Sequence, residues 1–302
     1  LHHRATLWFE SHNLPYEAIS HALDAKEYDL AIGMMVNATP VLAMRGEVST
    51  LVKWLDGLPH EIKFTNPRIS LMYAWARFFM LEIEAVQPHL LQALAALGLN
   101  AQALEAWSEN STLENADMLA QVYALRTFVV VNQGEPERGI QIARTALAHI
   151  QAEDRLSRFA LLAALGDACR DADDFFAASR AYSEALTICE LIGQRVASLA
   201  MRMDLARLKV MMGQLRQANN ICREVLSSDG EKHHPFFPLA QAYAMLGDLQ
   251  REWGEFDNAE QTLLAGIRQC EWAGYQRYLV YCYVSLARLK FAQRNSAMME
   301  SA

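Results

Sequence analysis

The 302-residue sequence predicts an all-α solenoid of stacked helical hairpins, and three observations carry that expectation. A hairpin pattern returns with a period of about 40 residues. Small residues recur at fixed places within each copy, and no stretch alternates apolar and polar side chains for long enough to form a sheet. One hairpin cannot bury its apolar face alone, so neighbours must stack, and the stack is expected as a right-handed superhelix.

Taken from the start, residues 15–24 and 26–38 are expected as short helices, with Pro15 in the first turn, where a missing N–H costs nothing. Residues 47–58 make another, ended by Pro59. A degenerate hairpin follows over 68–97, with Ala74, Ile83, Val86, Leu90 and Ala93 on its pattern and Leu81 where the turn usually has Gly. The next copy holds Thr127, Gly134, Gly139, Ala143 and Ala146. The clearest copy reads Leu165-Gly166, Asp173 at the turn, then Phe175, Ala178, Tyr182 and Ala185. Leu205-Ala206, Gly213, Leu215, Ala218, Cys222 and Val225 repeat it, as do Leu246-Gly247, Gly254, Phe256, Ala259, Leu263 and Gly266, and Leu286-Ala287 opens a last copy. Turn positions 134, 173, 213 and 254 are 39, 40 and 41 residues apart, longer than the 34 of a minimal tetratricopeptide repeat. The expected organisation is a helical arm over 1–66 leading into tetratricopeptide-like hairpins over 67–302, near 68–97, 118–150, 157–192, 197–227, 238–273 and 278–302.

Composition narrows the function. A net charge of −8 opposes a surface built to neutralise phosphates, so direct nucleic-acid binding is not expected. Five cysteines, none in a C-x-x-C pair, suit buried reduced thiols in a cytosol. No apolar run approaches the roughly 18 residues of a membrane span, and Leu1-His2-His3-Arg4 lacks a signal core, so a cytoplasmic protein is expected.

The N-terminal residues carry a family resemblance. Leu1-His2-His3-Arg4-Ala5, Trp8, Glu10, Leu14-Pro15, Glu17-Ala18-Ile19, His21-Ala22-Leu23, Trp54-Leu55, Leu58-Pro59 and Asn66-Pro67-Arg68 resemble the segment after the ATPase module in large MalT-like, LuxR-type transcription regulators of the STAND class. The resemblance implies a multidomain activator: a nucleotide-binding ATPase, a helical arm, a tetratricopeptide-like sensor for an inducer, and a C-terminal helix-turn-helix. Neither the G-x-x-x-x-G-K-[ST] phosphate loop nor the helix-turn-helix stands in this sequence. It is therefore expected to be the sensor region, excised or natural, with ATP and DNA held by other parts of the parent and no cofactor of its own. It also holds fewer repeats than the family's sensor, so its ligand surface is expected to be partial.

The repeat register nominates a concave wall built by the first helix of each hairpin. One row is Phe128, Asp167, Arg207, Asp248 and Arg288; one turn on come Val131, Arg170, Val210, Arg251 and Phe291. Trp75, Phe78 and Phe79 hold comparable places in the degenerate hairpin, and Tyr281 lies near the last one. Alternating Asp and Arg among aromatics suits a polar small molecule: Arg for carboxylate or phosphate, Asp for hydroxyls, rings for stacking. The same charges also fit simple ion pairs between neighbouring helices. Met203 and Met211 are expected to face this groove, the other methionines the core.

Catalysis and metal binding find little support. There is no nucleophile in a strained turn and no paired-carboxylate motif, and Asp171, Asp173 and Asp174 read as a solvated turn. His2-His3 and His233-His234 are adjacent pairs with no third ligand at a recognisable spacing, so no metal is assigned, and His21 reads as packing. Two functions remain: a sensor that binds an inducer and supports self-association of the parent protein, or a scaffold whose groove holds a peptide or partner protein. An enclosed pocket of about 300–1,000 Å³ would favour the first and an open trough the second.

Overall fold

The computed structural model describes residues 1–12, 14–45, 47–104, 115–228, 237–273 and 276–300, and the His233-His234 pair lies outside them. Sixteen α-helices and one short 3-10 turn, and no strand, occur among the described residues. They form two compact units, 1–174 and 175–302.

The first unit begins with short helices α1 (His2–Ser11), α2 (Pro15–Asp24), α3 (Tyr28–Arg45), α4 (Val48–Asp56) and α5 (His60–Thr65). Pro15 stands at the start of α2. α3 runs further than the sequence reading, which stopped at Ala38 ahead of Pro40. These helices share one core, with Ile19, Met35, Leu51, Leu55 and Ile69 enclosed in it. The hairpins follow: α6 (Pro67–Phe79) with α7 (Ile83–Ala96), then α8 (Ala116–Asn132) with α9 (Pro136–His149), then α10 (Arg155–Asp171). α8 is the centre of the unit and packs against α6, α7, α9 and α10. It is buried on nearly every side and mostly apolar, with Arg126 and Thr127 enclosed among its Leu, Val and Ala side chains.

The second unit holds α11 (Phe175–Leu191), α12 (Arg195–Met211), α13 (Leu215–Ser227), α14 (Phe237–Glu252), α15 (Phe256–Ala273) and α16 (Gln276–Glu300), each packed on the next in the chain. Small residues let them approach. A Cβ added at Gly247 would stand 2.5 Å from Leu263 Cγ, and one added at Gly266 would stand 2.7 Å from Tyr243 Cβ. Met203 is a correction: it is fully enclosed in the α12–α14 core and does not face a groove, whereas Met211 is exposed. All five thiols are buried and unpaired by disulfides, and burial pushes Cys189 and Cys222 up to about 12, so neither ionises near neutrality.

The hairpins turn by one device. The helix runs out into a residue of positive φ, and the N–H of the residue after it returns to a carbonyl five positions back, as in Glu135 to Val130, Gln214 to Lys209 and Glu255 to Gln250. Glycine takes the positive φ at 134, 213 and 254, but Asp173 (φ 59°) and Leu81 (φ 64°) do not escape the penalty of a Cβ in that region. Leu81 is half-exposed and belongs to no core cluster among the described residues. Leu81→Gly should therefore stabilise the first unit by about 1 kcal/mol in urea unfolding.

A second outcome concerns acid. His89 stacks on Tyr73 with ring centroids 5.2 Å apart, and its Nδ1 is buried with no hydrogen-bond partner among the described residues. Burial, reinforced by the Arg77 charge, holds its pKa below the ordinary histidine value. The unfolded chain then binds the proton more readily than the folded one, so stability is lost as pH falls below about 6.5 and stops falling once the folded value is passed. The urea midpoint of His89→Leu, followed from pH 7 to 5, should fall less steeply than that of the parent chain.

Candidate functional site

In the first unit α6, α8 and α10 lie side by side. Trp75 of α6 donates its ring N–H to Gln121 Oε1 of α8 at 3.2 Å. Its ring stacks on Phe79 (5.6 Å) and meets Phe128 edge-on at 6.4 Å, while Phe78 stacks on Phe128 at 4.8 Å. Sequence reasoning named all four aromatics, and the structure gathers them into one cluster. It is more core than ligand surface at its base: Phe128 and Val131 are buried, and Phe79 is the exposed ring. On α10, Arg170 reaches Asp167 Oδ1 at 2.6 Å and Asp171 Oδ1 at 2.7 Å.

In the second unit α14 lies between α12 and α16. Arg207 on α12 stands 3.4 Å from Asp204. Arg251 on α14 stands 3.4 Å from Asp248 through Nε and 2.6 Å from Glu252 through its terminal nitrogen. The other Asp248 oxygen accepts a hydrogen bond from Ser285 Oγ of α16 at 2.8 Å, which ties the two helices. Tyr281 and Arg288 share a face of α16 with exposed Val284 and Phe291, at the i, i+3, i+7 spacing of a helical stripe.

Within each of three helices an acidic and a basic side chain of this register pair with each other. The same Asp-x-x-Arg unit closes within α10, α12 and α14, because side chains three apart on a helix are neighbours. Pairs three apart on a helix contribute about 0.2–0.5 kcal/mol each, so they orient the guanidinium more than they stabilise the fold. Arg170 and Arg251 are thus held with their donors partly used. Arg288 is exposed and has no ion pair among the described residues, which leaves its whole fork for a carboxylate or phosphate.

An open depression of about 400 Å³ lies elsewhere in the first unit, lined by Asp29, Ile62, Thr65, Asn66, Pro67, Arg68 and Met118. None of the nominated residues lines it. Asn66-Pro67-Arg68 was noticed in the sequence only as part of a motif; the partners Asp29 and Met118 are too distant in sequence to be found by spacing.

Helical hairpins with turns 39 to 41 residues apart, stacked without strands among the described residues, define a tetratricopeptide-like helical-repeat protein. The chain belongs to the family of MalT-like TPR regions, whose model matches residues 120–298. It is similar to the HTH-type transcriptional regulator MalT of Yersinia pestis (strain Pestoides F), with 21% identity over 295 residues, 97% of this chain and 31% of that protein. The chain spans about a third of the length of that relative. Among solved structures, a Rap protein complexed with competence and sporulation factor superposes with a TM-score of 0.65 at 14% identity, covering 99% of this chain and 84% of that one. A signal transduction ATPase with numerous domains (STAND) from Pyrococcus horikoshii, with a tetratricopeptide repeat sensor, superposes with a TM-score of 0.51 at 12% identity, covering 93% of this chain and 43% of that one. These two likenesses establish the fold.

Proposed function

We propose that the chain is the signal-sensing region of a MalT-like, LuxR-family transcription regulator, and that a polar small-molecule inducer binds the repeat wall that carries Arg251, Asp248, Tyr281 and Arg288. Residues 1–66 act as the arm that leads into the repeats. ATP binding, DNA binding and self-association belong to the parent regulator, in the cytoplasm, and this region is a binding module without catalysis. The observation that carries the reading is the match to a MalT-like TPR region over most of the repeats. It is supported by a wall that offers an exposed guanidinium, a preoriented one and an exposed ring. Signalling then requires that the inducer bind the active arrangement of the parent better than the resting one, since only that difference shifts the populations.

A second reading has its own support: one structural neighbour is complexed with a factor, so the wall would hold a peptide or partner protein. Thermal unfolding against sugars, aromatic acids, acyl metabolites and short acidic peptides separates the two. A ligand that binds only the folded chain adds about 2.7 kcal/mol at 100 times its Kd. One small molecule should raise the midpoint, and Arg251→Gln and Arg207→Gln should reduce the rise. A rise with peptides alone would replace the inducer by a protein partner, and a rise unaffected by either substitution would remove the wall from the account.

A further inference from the structure

We infer that the first two helices form a divalent transition-metal site from His2, His21 and Asp24, a function outside the sensor reading. α1 and α2 fold back on each other, so the first turn of α1 lies beside the last turn of α2. His21 and Asp24 are three residues apart and so share a face of α2. His2 Nδ1 stands 2.9 Å from His21 Nδ1 and 3.7 Å from the nearer Asp24 oxygen, and one donor atom from each of the three residues lies within 4.8 Å of the others.

Bonds of about 2.0–2.2 Å in a tetrahedron hold ligand atoms somewhat more than 3 Å apart, so the 2.9 Å pair opens slightly, the 3.7 Å pair closes slightly, and the third pair closes from within 4.8 Å. The His21 ring is already held, stacked on Phe9 with centroids 5.3 Å apart and planes at 11°. Its neighbour His2 lies tilted across it at 5.1 Å. Beside the cluster, His3 Nδ1 is 2.6 Å from a Glu27 oxygen, a pair that fixes the same two helix ends together.

The donor set selects the ion. Two imidazoles and a single carboxylate suit Zn²⁺, Co²⁺, Ni²⁺ or Cu²⁺, whereas Ca²⁺ and Mg²⁺ take oxygen ligands. Three protein ligands leave one position for water. The ion would join α1 to α2, beside the apolar contact of Phe9 with the core that holds Ile19. No adjacent-histidine pair could do this, and the sequence reading dismissed the metal for that reason. The missing ligands come from the next helix.

The test is a titration of the tag-free, chelator-treated 302-residue chain with CoCl₂, read by visible d–d absorption, followed by displacement with ZnCl₂ in calorimetry. The expected result is one ion per chain, with affinity reduced at least about tenfold by His2→Gln and by Asp24→Asn. Asp24 is exposed, so its substitution leaves the fold intact, which circular dichroism checks. His12→Ala, outside the cluster, should bind as the parent does. Absence of stoichiometric uptake, or equal affinity in the parent and both variants, overturns the site.

Discussion

Leu125→Ala should cost the first unit about 2–5 kcal/mol, read as a lowered urea midpoint with an unchanged slope. Leu125 is fully enclosed in α8, the helix that α6, α7, α9 and α10 pack against. A truncation there leaves a cavity whose walls belong to several helices, so no single neighbour can collapse into it. With a total stability of about 5–15 kcal/mol for a domain, the loss is a large share of what holds the unit together. A peripheral truncation in the same unit such as Leu156→Ala, where the side chain is exposed, should cost less than about 0.5 kcal/mol. Equal costs at the two positions would mean that α8 is not the centre of the unit.

Gly266→Ala is the second large effect, expected to destabilise the second unit by about 1–3 kcal/mol. The added Cβ would meet Tyr243 Cβ at 2.7 Å and Cys282 Sγ at 3.1 Å. A Cβ is fixed to its backbone and cannot swing aside, so α14 and α15 must separate. That cost exceeds the roughly 1 kcal/mol that alanine gains over glycine in helix propensity. Gly33→Ala in α3, where nothing lies within 4 Å of the added carbon, should show the propensity gain alone and stabilise. Thermal unfolding of both variants gives opposite signs if close helix approach is what Gly266 provides, and the same sign if it is not.

The repeats were legible because they are local. A turn that needs positive φ asks for glycine, so 134, 213 and 254 stood out, and the exceptions at Leu81 and Asp173 could be placed by counting. The helix expected over 26–38 is longer in the structure, where α3 runs to Arg45 and carries Pro40 within it, a residue that usually ends a helix. The candidate wall was legible in part. Its Arg and Asp residues were found by register, but the register does not tell which pairs close. The Asp-x-x-Arg pairs close within single helices, where the spacing alone could have shown it. Met203 was misplaced because a thioether fits a groove or a core equally well by sequence, and burial by α13 and α14 decides between them. Ser285 on Asp248, and His2 on His21 and Asp24, join separate helices through tertiary packing, which no period within one helix encodes.

The most direct measurement for the sensor account is amide hydrogen exchange of the chain with and without the compound that raises its unfolding midpoint. The account predicts added protection concentrated in α12, α14 and α16, around Arg207, Arg251 and Arg288, with α1 to α5 unchanged. Protection confined to the depression beside Asn66 and Arg68, or spread evenly over the chain, would contradict it.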